Sequence, residues 1–232
     1  MKKGKAYLEK TKLVDRDKSY SPVEALRVLR EVAFAKFDET VELHFNLGID
    51  PRQSDQQIRG TLVLPHGTGK SIRIAVITNE KQRECQDAGA DVVGSDDLIE
   101  QIQGGWMEFD LVITSPDMMA KVGRLGKTLG AKGLMPNPKS GTVTPNVVQA
   151  IKEFKAGKLE YRNDKTGIVH IVIGKKSFSD QQLLENLDAV YEVIQKVKPS
   201  KSKGVYLKSI SMCTTMSPGL FIEPLKTKWK EA

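Results

Sequence analysis

Three short apolar runs separated by helix-length segments constrain the middle of this chain more than any other feature. Ile72 to Thr78 reads as a compact strand, and Lys81 to Ala88 as a helix closed by Gly89. Asp91 to Gly94 is a very short strand. Ser95 caps a helix through Gln103, which the Gly104-Gly105 pair breaks, and Phe109 to Thr114 is strand again. Strand, helix, strand, helix, strand at this spacing requires a parallel sheet with helices on its faces, because parallel strands need a crossover between them. A glycine-rich, basic loop follows. Thr144-Pro145 then starts a helix that Gly157 stops.

The flanks have a different grammar. Ser21-Pro22-Val23-Glu24 is a capping box with Pro at the first helical position, and it predicts a helix to about Lys36. Val41, Leu43, Phe45 and Leu47 then alternate with Glu42, His44 and Asn46, the period of two of a strand with one polar face. Gly48-Ile49-Asp50-Pro51 ends it, and Gly60 to Leu64 is a further strand stopped by Pro65. Beyond the middle, Lys158 to Arg162 and Ile168 to Ile173 flank the turn residues Asn163 to Gly167 and predict a hairpin. Ser179 and Gln182 form a second capping box, opening a long helix to Lys198 before Pro199. Val205 to Cys213 and Leu220 to Glu223 read as strands around Ser217-Pro218-Gly219.

The economical organisation is a discontinuous two-domain protein. Residues 1–66 and 158–232 form an α+β domain from both chain ends, and residues 67–157 form an inserted Rossmann-like parallel α/β domain. Charge follows the same division. Residues 1–66 hold 12 basic and 10 acidic residues, residues 67–157 hold 11 of each, and residues 158–232 hold 13 and 8. The excess that makes the chain +7 lies in the flanks, a hint of a polyanionic partner. No run reaches the roughly 18 apolar residues of a membrane helix, so no membrane partner is expected. The early lysines, Lys2 to Lys12, precede no apolar segment, so no secretory signal is expected. Cys85 and Cys213 are far apart, and His44, His66 and His170 are scattered. Neither a disulfide framework nor a metal site is therefore expected.

Motifs for catalysis are poor. Gly67-Thr68-Gly69-Lys70-Ser71 matches the end of a phosphate-binding loop, but its first glycine is replaced by Leu64. Pro65 lacks an amide hydrogen, and a strand follows where a helix belongs. A tight turn or hinge at Gly67 and Gly69, with Gly157 on the return, is the better reading. Gly123, Gly126 and Gly130 have the wrong spacing for a dinucleotide fingerprint. Lys121, Arg124, Lys127, Lys132 and Lys139 form an acid-free basic run between Asp117 and Glu153. It is either a solvated face or a set of phosphate contacts. His44 and His170 fall on strands, as structural histidines or as RNA-stacking groups. Lys36-Phe37-Asp38-Glu39-Thr40 before a strand, and Thr214-Thr215-Met216-Ser217 at a strand end, place hydroxyls beside an aromatic and a thioether. That mixture suits RNA as well as ordinary core packing.

Taken together, these segments resemble the ribosomal protein L-one family. The resemblance runs through Lys36 to Glu42, Leu47-Gly48-Ile49-Asp50-Pro51-Arg52, Arg59-Gly60, Leu64 to Lys70, Ala88-Gly89-Ala90-Asp91 and Ser115-Pro116-Asp117-Met118-Met119. Its most specific stretch is Gly133-Leu134-Met135-Pro136-Asn137-Pro138-Lys139 with Gly141-Thr142-Val143-Thr144. Tyr161-Arg162, Asp164-Lys165 and Lys203-Gly204-Val205-Tyr206 complete it. Two departures stand out: Ser217 where the family usually has Gly, and Ala131 where Pro is common.

The resemblance implies the two-domain fold, with no catalysis, cofactor or homo-oligomer. It implies binding to large-subunit ribosomal RNA in the mobile stalk beside the tRNA exit site, contact with exit-site tRNA, and repression of the protein's own messenger in bacterial members. By family pattern the RNA-binding positions are Lys36, Phe37, Thr40, Glu42, Lys165, His170, Thr215, Met216 and Ser217, with Lys121, Arg124, Lys127, Lys132 and Lys139 as further RNA or tRNA contacts. Glu100-Gln101-Ile102, Gly104 to Asp110 and Asp164 to Ile171 are more similar to plastid members. A chloroplast ribosome is therefore expected ahead of a bacterial cytoplasmic one, in an organelle-encoded or already mature chain. The competing reading from another class is a nucleotide-dependent enzyme built on the Rossmann-like middle.

Overall fold

The structure, a computed structural model, describes residues 4–202 and 204–223. The predicted strand end at Glu223 lies at its edge, and Lys203 of the basic link lies outside the described residues. In chain order the elements begin with α1 (Lys5–Thr11), β1 (Ser19–Tyr20), α2 (Pro22–Val32), β2 (Thr40–Leu47), β3 (Arg59–Val63) and β4 (Ile74–Ile77). There follow α3 (Gln82–Asp87), β5 (Val92–Gly94), α4 (Asp96–Gln103), β6 (Leu111–Thr114), α5 (Met119–Val122), α6 (Gly126–Ala131) and α7 (Val147–Lys155). The chain closes with β7 (Lys158–Arg162), β8 (Ile168–Lys175), α8 (Asp180–Lys196), β9 (Leu207–Thr214) and β10 (Leu220–Ile222). The chain is thus mixed α/β, with parallel and antiparallel sheets. It separates into two compact units, one within Met1–Gly69 and Tyr161–Ala232, the other Lys70–Glu160. The crossings fall three residues beyond the boundaries read from the sequence, at 69/70 and 160/161.

The first unit is built on a five-stranded sheet in the order β1-β10-β9-β2-β8, antiparallel except for the short β1–β10 edge. Val41, Leu43, Phe45 and Leu47 of β2 are almost wholly buried, and the residues between them are half-buried. The apolar face meets Leu26, Leu29 and Val32 of α2 and Leu183, Leu187, Val190 and Ile194 of α8. Each fully buried side chain of this size contributes about 2 kcal/mol. Both capping boxes form as expected, at Ser21 with Glu24 and at Ser179 with Gln182. Arg30 of α2 joins the two helices, reaching the Asp180 carboxylate at 2.8 Å and the carbonyls of Lys176 and Phe178 at 2.9 and 2.6 Å.

Two expectations fail here for identifiable reasons, and two elements were not anticipated. The first helix stops at Val32, not near Lys36, because Ala33 turns extended and the Ala35 N–H donates to the Glu39 carboxylate at 2.8 Å instead of to the helix. The Asn163 to Gly167 turn forms, but the strands beside it part. Asn163 exchanges two hydrogen bonds with Ile58, β7 pairs with β3, and β8 pairs with β2. Only an Asn163–Val169 bridge is left of the hairpin. The α1 helix and the β1 strand carry no signal that the sequence reading used, and α1 buries no residue.

The second unit holds a three-stranded parallel sheet, β5-β4-β6. Ala75 and Ile77 point to one side with Leu98, Ile102, Val122 and Leu129. Ile74 and Val76 point to the other with Cys85, Ile151 and Phe154. The segment expected to be a glycine-rich loop is largely helical. Val122, Leu125 and Leu129 recur at spacings of three and four and are buried, so α5, a 3₁₀ turn and α6 form under them. Nothing lies within 4 Å of a Cβ added at Gly123, Gly126 or Gly130, so close approach does not explain these glycines.

Candidate nucleic-acid interface

The side of the five-stranded sheet away from α2 and α8 is polar, and strand register arranges it in rows. Val172, Glu42 and Cys213 form one row across β8, β2 and β9. His170, His44 and Ser211 form the next, which Phe221 and Ser19 continue across β10 and β1. Ile168, Asn46 and Ser209 form a third. Directly paired residues share a face, so these side chains form one continuous surface. His170 is exposed and Phe221 is 45% exposed.

At the Thr40 end the surface meets two loops that Glu39 fastens together. Glu39 is fully buried. Its carboxylate accepts from the Ala35 N–H at 2.8 Å, the Thr214 hydroxyl at 2.6 Å and the Met216 N–H at 3.1 Å. Burial pushes this carboxyl up, but these hydrogen bonds, with Lys176 nearby, outweigh it and hold the group below its ordinary value. Held in this way, Lys36, Phe37, Thr215 and Met216 all stand exposed, Phe37 at 55% and Met216 at 47%. The Thr40 N–H donates to the Thr215 hydroxyl at 3.0 Å, and Lys175 Nζ donates to the Thr40 hydroxyl at 2.8 Å. Thr215 therefore helps to build the site as well as facing out of it. Ser217 accepts from the Thr214 N–H at 2.9 Å. Its backbone is not left-handed, so a side chain sits there without strain.

The structure thus brings Lys36, Phe37, Thr40, Glu42, Thr215, Met216 and Ser217 to one end of the polar face. His170 lies one row further along, and Lys165 is exposed in the turn before β8. Asp164 organises that turn, accepting from the Thr166 and Ile168 N–H groups at 2.8 Å each. Those bonds lower its carboxyl to about 2 against the opposing effect of burial. Lys175 and Phe221 belong to the same surface and the buried Glu39 supports it; the sequence pointed to none of these roles. Period-two alternation marks a face but does not reveal which strands stand side by side.

Two of the three histidines that are scattered in sequence meet in the fold. His44 and His170 are cross-strand partners with Nδ1 atoms 2.8 Å apart, and His44 Nε2 lies 3.1 Å from Cys213 Sγ. Antiparallel pairing across β8, β2 and β9 erases separations of more than a hundred positions.

The basic run lies on the second unit. Lys121, Arg124, Lys127, Lys132 and Lys139 are all exposed, and Lys121 is paired with Asp96 at 2.7 Å. That unit also has a depression of about 570 Å³ beyond the carboxyl ends of β4 and β6. Glu80, Glu84 and Asp117 outnumber Lys81 and Lys152 in its lining, a charge balance that repels phosphates. Gly67 and Gly69 adopt left-handed φ of 63° and 71°, Gly157 one of 107°, and Lys70 bonds Asp110 at 2.6 Å. Set against known proteins, residues 29–218 match the Ribosomal protein L1p/L10e family, a span that includes every candidate position expected from the sequence, while Phe221 lies just beyond it.

Proposed function

Since the chain belongs to the Ribosomal protein L1p/L10e family, a family of structural ribosomal proteins that bind ribosomal RNA, we propose that the polar sheet face with its Glu39-fastened loops is its RNA-binding surface. The RNA is that of the large subunit, in the mobile stalk beside the tRNA exit site, where the protein assists release of deacylated tRNA. The observation that carries this reading is the buried Glu39, which fixes two separate loops so that Phe37 and Met216 stand exposed beside Thr40 and Thr215. An exposed aromatic and an exposed thioether offer stacking surfaces to unpaired bases, and the hydroxyls suit ribose 2′-hydroxyls. Lys36, Lys165 and Lys175 supply cations for phosphate.

The same surface serves repression of the protein's own messenger, because RNA that copies the stalk's shape meets the same donors. Lys121, Arg124, Lys127, Lys132 and Lys139 give the second unit a weaker contact with RNA or tRNA. The two units are separate domains, with Gly67, Gly69 and Gly157 near the chain crossings as hinge residues. The plastid-like segments, Glu100-Gln101-Ile102, Gly104 to Asp110 and Asp164 to Ile171, favour a chloroplast ribosome over a bacterial one.

Titration against large-subunit ribosomal RNA at increasing salt tests the proposal. Neutralising about four to six phosphates gives a log–log slope of about minus three to minus five. A flat response contradicts an interface built on phosphate contacts.

A further inference from the structure

Three strands bring to one place a set of donors that chain order conceals. Glu42 and His44 are alternate residues of β2 and share a face. Cys213 of β9 is the cross-strand partner of Glu42, and His170 of β8 is that of His44. A carboxylate oxygen of Glu42, a ring nitrogen of His44 and the sulfur of Cys213 lie within 4.8 Å of one another, all on half-buried residues. We propose that Glu42, His44 and Cys213 form a binding site for a zinc-class divalent cation, with His170 as the positioning residue for His44.

The donor set selects the class of ion. One thiolate, one imidazole and one carboxylate suit a borderline-soft ion that accepts four ligands, whereas magnesium and calcium take oxygen donors. Three protein donors leave a fourth position for water or another ligand. Bonds of about 2.3 Å to sulfur and about 2.0 Å to nitrogen at a tetrahedral angle put the two atoms about 3.5 Å apart. The observed 3.1 Å between Cys213 Sγ and His44 Nε2 needs to open by only about 0.4 Å, within the reach of side-chain rotation.

The surroundings also prepare the imidazole. With its proton on Nδ1, His44 donates to His170 Nδ1 at 2.8 Å and turns the Nε2 lone pair toward the sulfur. His170 Nε2 in turn stands 3.5 Å from the Asp164 carboxylate. A ligand histidine held from behind by such a relay keeps its tautomer and orientation. Without a cation the Cys213 S–H faces the Nε2 of His44 at 3.1 Å. On binding, the S–H bond breaks, a bond from sulfur to the cation forms, and the proton leaves to solvent.

The test uses the full chain with reduced thiols, no RNA, and Co²⁺ as a spectroscopic probe, so its outcome is independent of the RNA-binding reading. A thiolate-to-cobalt charge-transfer band is expected, saturating at one ion per chain and displaced by Zn²⁺. Cys213→Ser removes the band, and Cys85→Ser, at a buried thiol of the other unit, leaves it. His170→Ala weakens affinity about 10- to 100-fold without moving the band, and His170→Asn, which retains an acceptor, recovers part of the loss. Should Cys213→Ser fail to fold, alkylation of Cys213 in the unaltered protein gives the answer, with Zn²⁺ expected to slow it. No charge-transfer band in the unaltered chain, a band that survives in folded Cys213→Ser, or alkylation indifferent to Zn²⁺ overturns the proposal.

Discussion

Glu39 places a carboxylate in the interior of the first unit, and its three donors come from two places in the chain: Ala35 on one side, Thr214 and Met216 on the other. Hydrogen bonds to a charged group are worth about 1.5–3 kcal/mol each, and leaving buried donors unmet costs a similar amount. Glu39→Gln keeps the shape but turns one acceptor oxygen into a donor, so a loss of about 2 kcal/mol is expected at neutral pH. Because the folded carboxyl is held below its ordinary 4.5, its stabilisation is present above that value and fades as pH falls through the folded one. Denaturant titrations of both proteins should therefore differ at pH 7 and converge in acid. A gap that persists in acid would mean that packing, not charge, sets the effect. Sequence alone placed Glu39 beside the candidate residues but gave no sign that it holds them, since its partners lie 175 or more positions away in two of three cases.

Elements were legible where their signals are local. Ser21 with Glu24 and Ser179 with Gln182 each sit within one turn of helix, and both boxes form. Ser179→Ala should cost about 1 kcal/mol in thermal or chemical unfolding, because it strips the acceptor from the Gln182 N–H. An unchanged midpoint would assign the start of α8 to the Arg30 contacts instead. The alternation of Val41 to Leu47 likewise marked which side of β2 is polar. What eluded the sequence was pairing. The turn at Asn163 to Gly167 carries every local mark of a hairpin, yet Asn163 spends its hydrogen bonds on Ile58 and the strands diverge. Phe221 next to Ser211, and Cys213 next to Glu42, follow from register, which local pattern does not encode.

At the scale of the molecule, charge separates the two units. Residues 70–160 contain twelve basic and twelve acidic side chains, so the whole excess of +7 belongs to the other unit. By sequence, long-range attraction to a polyanion therefore originates outside residues 70–160. The most direct measurement replaces Lys70–Glu160 with a short Gly-Ser linker and titrates the product against large-subunit ribosomal RNA beside the intact chain. The expected result is a protein folded by circular dichroism that binds within about tenfold of the full chain, or about 1.4 kcal/mol. A folded product that binds a hundredfold more weakly would make the inserted unit a principal RNA-binding element and contradict the assignment to the sheet face.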